Sequence, residues 1–154
     1  MPSEIVFSTP WFEVGKLDPT GDGDPYYIVH TPPGLVVLPI TDEGSILLIR
    51  QFRPVLGRHT LEFPAGGLDP GETPAVAMAR ELHEETGFVC DRLDEVASGV
   101  LRLERENTIN HFFVGQGVRR DPDFKPTEPI EPVIVSPDEF AGLIRHRQFD
   151  HLAC

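Results

Sequence analysis

Residues 66–88 read GGLDPGETPAVAMARELHEETGF, and this stretch decides the fold because it runs a glycine loop into a short helix. Thr73 suits the helix N-cap, Pro74 its first turn, and Gly87 the residue just past its end. Glu81, Glu84 and Glu85 follow at i, i+3 and i+4, so the helix gathers three carboxylates into one cluster. Like charges this close destabilise the fold unless a cation neutralises them. The natural cation is hard and oxygen-preferring, magnesium or manganese. At about 100° per residue, Ala75, Ala79 and Leu82 fall opposite Glu81, with Val76 and His83 flanking them. That side is expected to pack on a sheet and the acidic side to face a cleft. A glutamate cluster on a helix is usually just a solvated face. Its fixed spacing from Gly66, Glu72 and Arg80 favours chemistry here.

Upstream, residues 60–63 read as a short strand that runs into Pro64-Ala65-Gly66-Gly67, a loop. Residues 35–40 and 45–52 are strand candidates separated by the turn Thr41-Asp42-Glu43-Gly44, the second apolar enough to be buried on both faces. Residues 1–33 form an arm. Within it Trp11-Phe12-Glu13-Val14 and Tyr26-Tyr27-Ile28-Val29 are β-prone runs joined by the turn cluster 18–25, which together make a hairpin. Downstream, 96–103 and 109–115 are strand candidates, and 119–132 is a polar loop containing Pro122, Pro126, Pro129 and Pro132. Val133-Ile134-Val135 is a last strand. Ser136-Pro137-Asp138-Glu139 then opens a second helix, with Phe140, Leu143 and Ile144 at helical spacing. This alternation specifies an α/β sandwich with a mixed sheet, divided into the arm (1–33) and a main domain (34–154).

A length of 154 residues with 40% hydrophobic composition suits one domain with a real core. The formal charge of −12 argues against a nucleic-acid partner, whose phosphate backbone needs a basic footprint. A small anionic ligand remains open if metal ions and a few arginines neutralise it. Cys90 and Cys154 show no metal or redox spacing. Residues 1–14 lack the basic start and apolar run of a signal peptide, and the apolar runs are too short to cross a bilayer. A cytoplasmic protein with no membrane partner is expected.

The spacing Gly-x5-Glu-x7-Arg-Glu-U-x-Glu-Glu-x-Gly-U, with U a bulky apolar residue, is the Nudix box. Gly66, Glu72, Arg80, Glu81, Leu82, Glu84, Glu85, Gly87 and Phe88 match it at every fixed position. The chain resembles a Nudix hydrolase. That resemblance implies a Nudix-type α/β/α sandwich and a catalytic divalent cation, Mg2+ or Mn2+. Glu81 and Glu85 would be its principal ligands, Glu84 a further ligand or a base, and the Ala65 carbonyl would complete the shell. Gly66 and Gly87 would support the box, and Glu72 and Arg80 would pair to fix the loop against the helix. The implied reaction is hydrolysis of the pyrophosphate in a nucleoside diphosphate linked to X, giving a nucleotide and a phosphorylated X.

Gln51-Phe52-Arg53-Pro54, followed by Leu61-Glu62-Phe63-Pro64-Ala65-Gly66-Gly67, is similar to the run before the box in ADP-ribose and nucleotide-sugar pyrophosphatases. By that resemblance Arg53 contacts substrate phosphates, and Glu62 sits near the metals or the terminal ribose. The arm resembles one that such enzymes exchange across a two-fold homodimer, where Trp11, Tyr26 or Phe12 would stack on a base; the plain alternative is that these aromatics are core. His111 lies in a run that resembles the strand after a substrate loop. Glu128 matches an acidic loop residue that acts as a base, with Glu131 as the neighbouring alternative. About sixteen residues beyond the box, where ADP-ribose-specific members carry a proline, the chain reads Arg102-Leu103-Glu104, which leaves nucleotide sugars and other dinucleotides open. Two other readings stand beside this one. A Nudix hydrolase of nucleoside triphosphates or dinucleoside polyphosphates is disfavoured by the Gln-Phe-Arg run and the arm. A non-catalytic nucleotide-binding module is disfavoured by the intact acidic cluster.

Overall fold

The apolar strands near the middle of the chain form the centre of the sheet because both of its faces are covered. A computed structural model describes residues 3–126 and 129–151. The chain opens with β1 (Glu4–Ser8), β2 (Glu13–Leu17) and β3 (Tyr26–His30), an antiparallel meander with its own sheet. Next, β4 (Gly34–Thr41), β5 (Ile46–Arg53), β6 (Arg58–Glu62) and β7 (Ala65–Gly67) lead into helix α1 (Pro74–Thr86). Then β8 (Phe88–Val89), β9 (Arg92–Gly99), β10 (Asn110–Arg120) and β11 (Glu131–Val135) lead into α2 (Pro137–Arg145). Among the described residues β4 to β11 form one sheet in the order β11-β5-β4-β10-β8, with β6 beside β5, β7 beside β4 and β9 beside β10. The β4–β10 pair is parallel and the remaining pairs are antiparallel, so the sheet is mixed, as expected.

Side-chain alternation along the strands sorts the core into two layers. Leu35, Val37 and Leu47 meet Ala77, Met78 and Leu82 of α1, together with Phe88, Phe113 and Val118. Val36, Leu38, Ile46 and Leu48 turn to the other face, where Phe63, Val133, Val135, Phe149 and the α2 residues Phe140 and Leu143 cover them. This is the α/β/α sandwich. It explains why Ile46, Leu47, Leu48 and Ile49 run without a polar interruption: each is buried, whichever face it meets. Beyond Ile49 the strand leaves the double cover, and Arg50 and Phe52 are exposed.

Both helices begin and end where local chemistry directs. The Thr73 side chain accepts a hydrogen bond from Val76 N, and Gly87 takes φ 71° with its N–H donating to His83 O. A Cβ on Gly87 would lie 2.2 Å from the Phe124 ring, so glycine is needed there for space as well as for its dihedral. Ser136 and Glu139 form a reciprocal capping box at the start of α2. No helix among the described residues is long and apolar enough to cross a membrane.

Four expectations need correction. The buried positions of α1 are Ala77, Met78, Leu82 and Thr86, whereas Ala75, Val76 and Ala79 are exposed, Val76 at 58%. Glu81 and Glu85 are themselves half-buried against β7, so the covered arc of the helix includes part of its acidic side and excludes those three residues. Alanine and an isolated valine can face water at little cost, so the helical wheel alone could not fix the rotation. Second, the Ala65–Gly67 run is strand β7, paired with β4, and its glycines concealed it. Third, the strand expected at 96–103 is β9, ending at Gly99, and the chain then turns where Arg105 N and Glu106 N both donate to Arg102 O. Fourth, the loop expected at 119–132 is shorter at both ends, because β10 runs to Arg120 and β11 starts at Glu131. The expected hairpin is present as β2–β3, and β1 extends it to three strands. Glu128 and Cys154 lie outside the described residues.

Val76→Asp should change stability by no more than about 0.5 kcal/mol, as at other surface sites. Met78→Ala should cost about 2–5 kcal/mol. Urea denaturation of both variants tests the rotation of α1, and a Val76→Asp protein less stable than Met78→Ala would contradict it.

Candidate active site

Strand β7 places backbone, with little side chain, beneath α1. A Cβ on Gly66 would lie 2.0 Å from Glu81 Cδ, so only glycine lets that carboxylate settle on the strand. Glu81 Oε1 accepts from Gly67 N at 3.2 Å, and one helical turn later Glu85 Oε2 accepts from Ala65 N at 2.9 Å. Two carboxylates thus rest on consecutive parts of one short strand. Glu84 projects further out and is exposed.

Arg80 supplies the positive charge between the loop and the helix. Its Nε and Nη2 donate to Glu72 at 3.1 and 3.0 Å, and its Nη1 donates to Glu81 at 2.9 Å and Glu84 at 3.0 Å. Nη2 also reaches Gly67 O at 3.2 Å. The hydrogen bonds from Arg80 hold the Glu72 carboxyl below its usual range, and those to Glu72 raise the pKa of Arg80. The Glu72–Arg80 pair expected from the resemblance is therefore present, and the same guanidinium also spans two of the three box glutamates.

Among the described residues no three His, Cys, Asp or Glu side chains are grouped as metal ligands. Arg80 draws Glu81 and Glu84 to itself, and Glu85 turns to Ala65 N. The chemistry of the donors nevertheless fits a hard divalent cation, since the cluster offers carboxylate oxygens and neither thiol nor imidazole.

A second ion pair stands close by. Glu62 is only 7% exposed. Its carboxylate accepts from Arg53 Nε at 2.8 Å and Nη2 at 2.5 Å, from Thr60 Oγ1 at 2.6 Å, and from Gln51 Nε2 at 3.4 Å. Burial alone would raise the Glu62 carboxyl, but the hydrogen bonds from Arg53 and Thr60 outweigh it and hold the group below its usual range. The Arg53 side chain remains 43% exposed and feels the charge of Glu85. Arg53 and Glu62 were separate candidates in the sequence, and the structure joins them as a buried anion that orients a half-exposed cation. Thr60 was not foreseen in this role; its spacing of two from Glu62 on a strand was the available signal.

The remaining candidates scatter. Trp11 is 75% exposed and borders a groove of about 340 Å³ with Phe12, Glu13, His30 and Pro32, so it is not core. Tyr26 donates its hydroxyl to Glu104 O, and its ring lies under the Arg105 guanidinium at 4.6 Å. Val29 N donates to Arg105 O at 2.7 Å. The 102–106 turn therefore docks the arm onto the main domain. His111 is a strand residue bonded to Glu95 at 2.9 Å, and Glu131 opens β11 with its carboxylate 4.0 Å from Arg50.

The profile of the NUDIX domain matches residues 30–152. The chain belongs to the Nudix family. The ADP-ribose pyrophosphatase of Bacillus subtilis is 37% identical to this Nudix chain over 98 residues, covering 64% of it and 53% of that protein. The ADP-sugar pyrophosphatase of Mus musculus is 33% identical over 99 residues, covering 55% and 45% respectively. The Nudix chain spans about half the length of the curated relatives it matches. The crystal structure of an ADP compounds hydrolase shares its fold, with a TM-score of 0.77 over 98% of this chain and 84% of that one, at 23% identity.

Two outcomes test the site. Gly66→Ala displaces only the flexible end of Glu81, so stability should fall by no more than about 1 kcal/mol, in the range of ordinary substitutions. Catalytic turnover should fall about tenfold to a hundredfold, as when a ligand-orienting contact is lost. A fully active Gly66→Ala protein would refute the seat of Glu81 on β7. For Glu62 the folded pKa lies below the unfolded one, so its contribution is complete above about pH 4.3 and is lost as pH falls through the folded value. Stability should therefore decline on acidification below about pH 4.3, and Glu62→Gln should flatten that limb in pH-dependent melting curves; an acid limb of wild-type steepness would refute the assignment.

Proposed function

We propose that this chain hydrolyses the pyrophosphate of a nucleoside diphosphate linked to a sugar, with ADP-ribose the first candidate, and that it depends on a divalent cation, magnesium foremost. The observation that carries this reading is the juxtaposition of two unlike clusters. Glu81, Glu84 and Glu85 form an anionic surface over β7, and the Arg53 guanidinium, anchored on Glu62, stands within electrostatic reach of Glu85. A pyrophosphate ester needs both: anionic oxygens to hold cations, and a fixed cation to orient its own charge. The name of the Bacillus subtilis relative supports the substrate class.

The cation, when bound, supplies charge neutralisation on the pyrophosphate and activation of the attacking water. The chain's own residues do the rest. Glu81 and Glu85, seated on β7, would hold the cation, and the outward Glu84 would hold it too or take a proton from water. Glu128 remains a candidate base. Arg53 would orient the phosphate, and Arg80 keeps the Glu72 end of the loop against α1. The separate sheet of β1, β2 and β3, with Ile5, Val6, Phe7 and Trp11 exposed, supports an arm that packs on a second copy as a homodimer, bringing Trp11 to the partner's nucleotide. Residues 102–104 carry no proline, which leaves sugars other than ribose open.

The test is a substrate panel with magnesium: ADP-ribose, nucleotide sugars, diadenosine polyphosphates and nucleoside triphosphates, with products separated by chromatography. AMP and ribose 5-phosphate from ADP-ribose are the expected products, and activity restricted to triphosphates or polyphosphates would overturn the substrate class. Glu85→Gln should lower turnover at least about a hundredfold while leaving the melting curve nearly unchanged. EDTA should abolish activity, and added magnesium should restore it.

A further inference from the structure

Helix α2 ends in a turn whose decisive position is not a glycine. His146 N donates to Gly142 O at 2.9 Å, Arg147 N to Ile144 O at 3.1 Å, and Gln148 N to Leu143 O at 2.8 Å. The last two bonds make a Schellman motif, which needs left-handed backbone at the residue just past the cap. Arg147 fills that position with φ 55°, the one non-glycine residue with positive φ among those described. Glycine takes this conformation without the steric cost that a Cβ brings. A strained arginine where glycine would serve points to a use for its side chain.

The side chain has a place to act. Arg147, Gln148 and Asp150, on the chain leaving α2, line a cleft of about 360 Å³ together with Arg50, Arg58 and His59 of the β5–β6 hairpin. That volume is in the range of small-molecule sites. Strand register sets its face. Arg50 lies opposite Leu61, and Phe52 opposite His59; by alternation Arg50 shares the α2 side with Ile46 and Leu48. Arg53 and Glu62 belong to the other side, so the cleft is separate from the candidate active site.

Its charge runs against that of the chain. The sequence has 13 Lys and Arg against 25 Asp and Glu, yet three arginines and, among the described residues, one acid line the cleft. That acid is already engaged. Asp150 accepts from Arg58 at 3.1 and 2.5 Å and from Leu61 N at 3.2 Å, and its own N–H donates to Leu61 O at 3.0 Å. Arg50 has only a 4.0 Å contact with the exposed Glu131, a pair of little energy. Arg147 is exposed and has no ion-pair partner among the described residues. The α2 carbonyls of Leu143 and Ile144, which would repel an anion, are bonded within the turn. Two available guanidinium groups suit a doubly charged oxyanion, which each can meet with paired N–H donors. A phosphate monoester or free phosphate carries nearly that charge at neutral pH, and a carboxylate carries half of it.

We propose that this cleft is a phosphate-binding site that takes inorganic phosphate or a small phosphate monoester between Arg50 and Arg147. Arg58 and Asp150 fix its rim. The site stands whether or not the chain hydrolyses a pyrophosphate. The test follows backbone amide resonances of the full chain in EDTA during titration with sodium phosphate, with sodium chloride at equal ionic strength as the control. Saturable shifts at residues 59–61 and 147–150 are expected with phosphate and not with chloride. Arg147→Gly and Arg50→Gln should each weaken that binding at least about tenfold, the loss of one charge-assisted hydrogen bond. Arg53→Gln, on the other side of the sheet, should leave it within about twofold. The ligand-free urea midpoint of Arg147→Gly should equal or exceed that of the wild type, because glycine relaxes the turn. Ribose 5-phosphate and AMP, titrated in the same way, identify the source of the phosphate. Binding tighter than that of the free ion supports a site for an organic phosphate, and weaker binding supports one for phosphate itself. Equal shifts with phosphate and chloride, shifts confined to Arg53 and residues 66–88, an affinity unchanged in Arg147→Gly and Arg50→Gln, or a lower midpoint for Arg147→Gly would each overturn the proposal.

Discussion

Three carboxylates on adjacent turns of one helix repel one another, and much of this structure can be understood as a response to that constraint. In the state described, the repulsion is relieved from two sides. Backbone N–H groups of β7 meet Glu81 and Glu85, and the Arg80 guanidinium meets Glu81 and Glu84. Gly66 makes the first arrangement possible, because any side chain there would occupy the place of the Glu81 carboxyl group. Glu72 makes the second durable, because it keeps a claim on Arg80 that does not depend on the box glutamates. The acidic cluster thus carries its own internal counter-charge.

The sandwich serves this site by carrying β5 and β6 out of the covered part of the sheet. Along β5 the side chains change from fully buried at Ile49 to half-exposed at Gln51 and Arg53. The pairing of Ile49 with Glu62 and of Gln51 with Thr60 then brings the carboxylate within reach of the arginine. A charged pair is tolerable at this boundary because only the anionic end is dry. Its opposite end remains wet, which limits the desolvation cost that a fully buried pair would carry.

What the sequence disclosed follows from the range of the interactions involved. Thr73, Pro74, Gly87 and the glutamate spacing are local, and the helix they specify is the one observed. Burial on both faces was legible for β5 because Ile46 to Ile49 run without a polar interruption. The rotation of α1 was not, since Ala75 and Val76 carry too little apolar surface to declare a side. β7 was hidden because its residues, Ala65, Gly66 and Gly67, have the composition of a turn and pair only through backbone. The joining of Arg53 to Glu62 depends on hairpin register, and the return of Asp150 to Leu61 spans 89 residues; neither leaves a periodic trace.

The Asp150 contact bears on how the protein behaves in a crowded solution. An outer strand with open N–H and C=O groups invites another chain to add to the sheet. On β6 the backbone of Leu61 is already engaged by a residue whose carboxylate is held ionised by Arg58. Acid strong enough to protonate that carboxylate would withdraw both the counter-charge for Arg58 and the acceptor for Leu61 N. The same residue thus guards this sheet edge against sheet-to-sheet aggregation, and the guard still holds near the isoelectric point of about 4.8, where net charge no longer keeps copies apart.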